Sequence, residues 1–172
     1  MAVGFRIRHS TAADVPILLE LIRGLAEYER LLAQLSATEE SLRTHLFGAR
    51  PAAEAVLAEE GAAAVGFAVF FHNFSTFLGR PGLFLEDLFV RPAYRGRGYG
   101  KALMVFVARL AQARGCGRLE WSVLDWNTPA RDFYRGLGAR PLDGWIGQRM
   151  TGDAIARLAA QRLPGEDAWA PG

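Results

Sequence analysis

The segment Arg95-Gly96-Arg97-Gly98-Tyr99-Gly100-Lys101 interleaves glycines and cations just before a long apolar-periodic stretch. A glycine turn at a helix start leaves backbone N–H groups aimed at one point, and the helix dipole favours an anion there. Without Cβ atoms, phosphate oxygens can reach the backbone. Two known phosphate templates fail. Walker A needs a glycine where Arg95 stands and Ser or Thr where Ala102 stands. The dinucleotide fingerprint accepts Gly96 and Gly98 but meets Lys101 in its third glycine place. The pattern that fits is Arg95-x-x-Gly98-x-Gly100. Taken alone, it is equally consistent with a flexible connection.

Upstream lies Leu83-Phe84-Leu85-Glu86-Asp87-Leu88-Phe89-Val90, apolar on both sides like a central strand, with two adjacent carboxylates. Strict alternation places Glu86 with Leu88 on one face and Asp87 on the other. An unpaired buried carboxylate is costly, so each must be paired, bonded or functional. The expectation is an arginine salt bridge for Asp87 and a functional role for Glu86. Downstream, Val123-Leu124-Asp125-Trp126-Asn127-Thr128-Pro129 leads into a helix, with Thr128 at N-cap and Pro129 at N1. Ala130, Phe133 and Leu137 form its expected buried stripe, and Tyr134 looks out of the core edge. A packing role for Tyr134 is the plainer alternative.

The elements that must position these residues follow from periodicity and turn chemistry. A strand is expected at 5–8, and a helix from Ser10 or Thr11 to Tyr28 with Val15, Leu18, Leu19, Ile22, Leu25 and Ala26 inward. A second helix opens at Thr38 and stops at Gly48. Strands at 55–58 and 64–71 pair around Glu60-Gly61. A loop spans 73–82, a strand 83–90, a helix 98–114, a strand 119–124 and a helix 129–137, with Gly138 in the C′ place. A last strand at 145–150 and a short helix at 153–162 complete the chain. The order β-α-α-β-β-β-α-β-α-β describes an α/β domain whose sheet is flanked by helices. One domain over 1–163 is expected, with a flexible tail at 164–172.

Composition narrows the function classes. The chain has 172 residues, 20 basic and 18 acidic side chains, and 51% hydrophobic residues. That balance does not suit tracking nucleic acid by charge. The single cysteine, Cys116, excludes an internal disulfide and a thiolate metal cluster, and is read as structural. The first residues have no apolar leader, and the longest apolar run, 62–71, is too short to span a bilayer. A cytoplasmic protein without membrane or nucleic-acid partners is expected.

Together the three motifs resemble the GCN5-related N-acetyltransferase superfamily (GNAT), and within it the diamine (spermidine/spermine-type) and thialysine N-acetyltransferases. The resemblance runs from Ile7 to about Leu158. Its sharpest points are Thr11-Ala12-Ala13-Asp14, Leu25-Ala26-Glu27-Tyr28-Glu29, Leu85 to Val90, Tyr94-Arg95-Gly96 and Val123 to Asn127, with Phe133-Tyr134 and Gly138-Ala139. It implies a GNAT fold, with a mixed, mostly antiparallel sheet, and acetyl-CoA as acetyl donor, without metal. Leu88, Phe89 and Val90 would hold the pantetheine arm and acetyl carbonyl through their backbone. Arg95, Gly96, Arg97, Gly98, Tyr99, Gly100 and Lys101 would cradle the pyrophosphate, and Asn127 and Ala130 at the next helix start would contact the cofactor.

Tyr134 would be the general acid, and Glu86 would bind the amine or accept its proton. Tyr28, Glu29, Glu120, Trp121, Ser122 and Asp143 fall at substrate-side positions. The resemblance further implies a homodimer and a small primary amine as substrate: a diamine, a polyamine or a thialysine- or lysine-like amino acid. Polyamine-specific relatives carry an acidic residue in the loop between the third and fourth strands. The loop 73–82 has none, which points to a shorter amine or an amino-acid side chain. A protein or peptide acetyltransferase, and a CoA-binding module without catalysis, are the alternatives.

Overall fold

The computed structural model describes residues 4–161. By compactness the chain divides into two units, Met1–Thr128 and Pro129–Gly172. The expected tail at 164–172 lies outside the described residues.

The first unit is built on one five-stranded sheet in the order β1-β2-β3-β4-β5. Its strands are β1 (Phe5–His9), β2 (Glu54–Glu60), β3 (Ala63–Ser75), β4 (Arg80–Val90) and β5 (Leu119–Trp121). The first four pair antiparallel and β5 joins β4 in parallel, so the sheet is mixed, as expected. Helix α1 (Val15–Tyr28) buries Val15, Leu18, Leu21 and Leu25. The last three pack on Ala55, Leu57, Phe67, Val69 and Phe89. Alternation turns Val56, Ala58, Ala68 and Phe70 to the opposite face, and they too are buried. Helix α3 (Tyr99–Ala113) contributes Tyr99, Leu103, Met104, Val107 and Ala111 to the core.

Local chemistry sets the element ends. Thr11 donates its backbone N–H to Asp14 Oδ2 at 2.7 Å, closing the turn that leads into α1. Thr38 and Ser41 exchange backbone-to-hydroxyl bonds at 2.9 and 3.1 Å, which starts α2 (Glu39–Phe47). The expected loop at 73–82 shrinks to four residues, because β3 and β4 continue until Ser75 meets Arg80. Pro81 lies within β4, where it lacks only a donor. Its carbonyl still accepts from the Gly117 N–H at 2.8 Å.

The second unit holds most of α4 (Thr128–Gly136), and α5 (Gly152–Ala159). The strand expected at 145–150 does not form: this segment has no regular structure. Its interior Gly147 and lack of alternation give a strand little to build on. The stripe expected on α4 is also shallower: Ala130 and Phe133 are half-buried and Leu137 is exposed. The strand expected at 119–124 ends at Trp121, so Ser122 lies beyond it.

Candidate active site

β4 changes character halfway along. Leu83, Phe84 and Leu85 pair with Leu119, Glu120 and Trp121 of β5, and the pairing stops there. On the β3 side the register jumps: Leu85 faces Phe70 and Asp87 faces Val69, so Glu86 is the extra residue of a bulge. From Glu86 to Val90, β4 therefore has β3 on one edge and no strand paired to the other among the described residues. Backbone groups on that open edge are available to a ligand lying along the strand.

The bulge also overturns the expected carboxylate geometry. Glu86 is exposed rather than buried, and Asp87 is half-buried. The salt bridge expected for Asp87 is absent among the described residues, since its neighbour across the ladder is Val69. Burial first, then the charges of Glu86 and Glu29, push the Asp87 carboxyl up to about 6. Burial also raises Glu29, the residue after α1. Three carboxylates thus share one electrostatic neighbourhood, and none has an ion-pair partner among the described residues. Such a group attracts a cation and gains from having one nearby.

The glycine turn follows directly on β4. Gly98 starts α3 with φ +83°, a conformation that favours glycine, and Gly96 has φ +75°. The first backbone bond of α3 runs from the Ala102 N–H to the Gly98 carbonyl at 2.9 Å, leaving the preceding N–H groups as helix-start donors. A Cβ built on either glycine would meet nothing within 4 Å, so the cradle is open and fits a phosphate.

Its side chains are committed elsewhere. Tyr99 is buried, stacked on Phe5 at 4.2 Å, and donates its hydroxyl to Glu60 Oε1 at 2.6 Å. Arg97 pairs with Glu60 at 3.1 Å, and Arg91 with Glu20 at 2.8 Å. Arg95 donates Nε to the Val90 carbonyl at 3.0 Å and lies 4.3 Å over the Tyr28 ring. Lys101 is exposed. The cradle is therefore made by backbone, with Lys101 its one cation not held in these contacts.

Tyr28 reaches a second candidate. Its hydroxyl donates to Asn127 Oδ1 at 3.2 Å, and Asn127 is 6% exposed. Trp126 tilts against Tyr28 at 6.3 Å, and Arg30 lies 5.5 Å over Trp126. The order Arg95, Tyr28, Trp126, Arg30 thus forms a row of cation, ring, ring, cation. Glu120 is paired to Arg118 at 2.7 Å and accepts Asn73 Nδ2 at 3.0 Å, so its charge is used structurally. Trp121 is half-buried and Ser122 exposed. In the second unit Tyr134 is half-buried, its ring 5.2 Å from Phe133, and Asp143 is exposed.

Residues 22–139 match the Acetyltransferase (GNAT) family. The chain belongs to this family. As a GNAT member it is an N-acetyltransferase. It is 39% identical over 166 residues to the thialysine N-epsilon-acetyltransferase of Bos taurus, covering 90% of this chain and 97% of that one. It is 33% identical to the L-ornithine N5-acetyltransferase of Arabidopsis thaliana, covering 89% and 87%. Among solved structures, a V. cholerae integron cassette protein superposes with a TM-score of 0.78 at 25% identity, covering 93% of this chain and all of that one. Among the described residues, no helix is long and apolar enough to cross a membrane.

The structure of this GNAT protein brings together Tyr28, Glu29, Glu86, the open edge of β4, the glycine turn and Asn127, all within the first unit. Sequence reasoning assigned Asp87 to a salt bridge. The missed signal was its position in a strand register opposite an apolar residue. Arg30 was not singled out, and Trp126 only as part of the motif at 123–127, because ring-on-cation stacking between residues 96 positions apart leaves no local pattern.

Proposed function

We propose that this chain acetylates the primary amine of a small molecule with acetyl-CoA as donor, by direct attack. The observation that carries this reading is the unneutralised trio Glu29, Glu86 and Asp87 beside the open edge of β4 and the glycine turn. Acetyl-CoA, when bound, supplies an activated thioester. The backbone of Leu88, Phe89 and Val90 lines its acyl and pantetheine portion and offers an N–H to the acetyl oxygen. The backbone from Gly96 to Gly100, with Lys101, takes the pyrophosphate, while Asn127 and Ala130 contact the same ligand. The side chains of Arg95, Arg97 and Tyr99 support the turn.

An alkylammonium has a pKa near 10.4, so only about one in a few thousand is neutral at pH 7. Glu29, Glu86 and Asp87 capture the cation, and a carboxylate near pH 6 suits it to receive the proton. Tyr134 Oη gives the proton that the thiol product needs. Tyr28, Trp121, Ser122 and Asp143 are assigned to substrate contacts, with Glu120 acting through its ion pair. The relatives named for thialysine and ornithine favour an amino-acid or diamine substrate. The reading extends to one catalytic domain over 1–163, a homodimer and a cytoplasmic location, all carried over from the resemblance.

The test is thiol release from acetyl-CoA across ornithine, thialysine, putrescine, spermidine and a lysine peptide. Turnover with the small amines is expected, and Tyr134→Phe lowers it at least 100-fold with acetyl-CoA affinity kept. Turnover confined to the peptide, or CoA binding with no turnover, overturns the reading.

A further inference from the structure

Three helices end on the same hydrogen-bonded motif. At the end of α1, the Leu31 N–H bonds to the Ala26 carbonyl at 2.8 Å and the Arg30 N–H to Glu27 at 3.1 Å. At α3 the pair is Cys116 to Ala111 and Gly115 to Gln112, and at α4 it is Ala139 to Tyr134 and Gly138 to Arg135. The motif requires a left-handed residue at its turning point, where glycine is favoured. α3 and α4 place Gly115 and Gly138 there, with φ +67° and +93°. α1 places Arg30, with φ +61°, the one non-glycine residue of positive φ among the described residues. The backbone needs no guanidinium at this point. A strained residue that persists points to its side chain.

That side chain lies over Trp126 and makes no ion pair among the described residues. The other arginines described above are differently placed. Arg95 spends Nε on Val90 and its face on Tyr28, and Arg91 and Arg97 hold Glu20 and Glu60. Arg30 is thus the cation beside Glu29 whose hydrogen-bonding fork is unspent among the described residues. A guanidinium fork matches a carboxylate in two parallel bonds.

We propose that Arg30 binds the carboxylate of the acceptor, making it the residue that selects an amino acid over the corresponding simple diamine. The distal ammonium goes to Glu29, Glu86 and Asp87, and the carboxylate to Arg30. This rests on the amine-acetylating reading above and narrows its substrate class.

The experiment compares kcat/KM for ornithine with that for putrescine, its decarboxylated counterpart, in wild type, Arg30→Gly and Arg30→Lys. Arg30→Gly removes the fork and suits the left-handed backbone, so it folds at least as well, which thermal unfolding checks. The ornithine-to-putrescine ratio is expected to fall at least tenfold in Arg30→Gly, through the KM of ornithine rather than kcat, with Arg30→Lys in between. A ratio within twofold of wild type in Arg30→Gly overturns the inference and leaves the acetyltransferase reading standing. Absence of turnover with either amine in wild type overturns both.

Discussion

Two carboxylates on the same sheet show opposite solutions to burial. Glu59, at the β1–β2 side, is 8% exposed and held by Arg6 at 2.6 Å and Arg8 at 2.8 Å. Arg8 also grips Asp14 with both nitrogens at 2.8 Å. Burial alone would raise Glu59, but the hydrogen bonds from Arg8 and Arg6 outweigh it and hold the carboxyl low. Asp87, at the bulge of β4, is half-buried without such a partner among the described residues and sits high, at about 6. The first carboxylate is solved internally and serves the fold. The second has no ion-pair partner among the described residues, which is what the proposed amine-binding role requires. Composition counts the two acids alike, whereas the structure separates a paired one from one without a pair among the described residues.

The largest expected effect is on activity. Asp87→Asn should lower the amine kcat/KM by about 10–100-fold, the worth of one charged hydrogen bond. Glu59→Gln should leave it within twofold per folded molecule. Equal losses in steady-state kinetics would erase the contrast. Next comes stability. Glu59→Gln should cost about 2 kcal/mol in urea unfolding at pH 7, because the Arg6 and Arg8 bonds lose their charged acceptor. Asp87→Asn should gain about 1 kcal/mol at pH 8, a value discounted for partial solvent screening.

The smallest effect is in pH dependence, and the signs differ. A depressed carboxylate stabilises above its unfolded pKa, so the Glu59 contribution is lost as pH falls below about 4. A raised one destabilises increasingly as pH climbs from about 4 to about 6 and constantly above. The Asp87→Asn gain should therefore vanish at pH 4 and be full by pH 7. Urea midpoints across that range decide it, and a pH-independent gain would deny that Asp87 is raised.

Much of the frame was legible in the sequence. Thr38, Gly48, the turn at Glu60-Gly61 and the glycines before α3 each mark an element end by local chemistry, and each stands where periodicity placed it. The expected strand at 145–150 and the long loop at 73–82 fell for different reasons. Gly147 and the lack of alternation already weaken the first, whereas the reach of the β3–β4 ladder is set by pairing and cannot be read from one segment.

The sequence by itself determined the α/β class and the element order as far as α4, the glycine turn at the start of α3 and membership of an acetyltransferase family. All three depend on residue types at short spacing. Only the tertiary structure decided that Glu86 sits on a bulge, that among the described residues Asp87 has no cation while Glu59 has two, and that Arg30 lies over Trp126. Register, burial and ion pairing are set by residues far apart in the chain, so the same two letters, Glu and Asp, become scaffold in one place and candidate site in another.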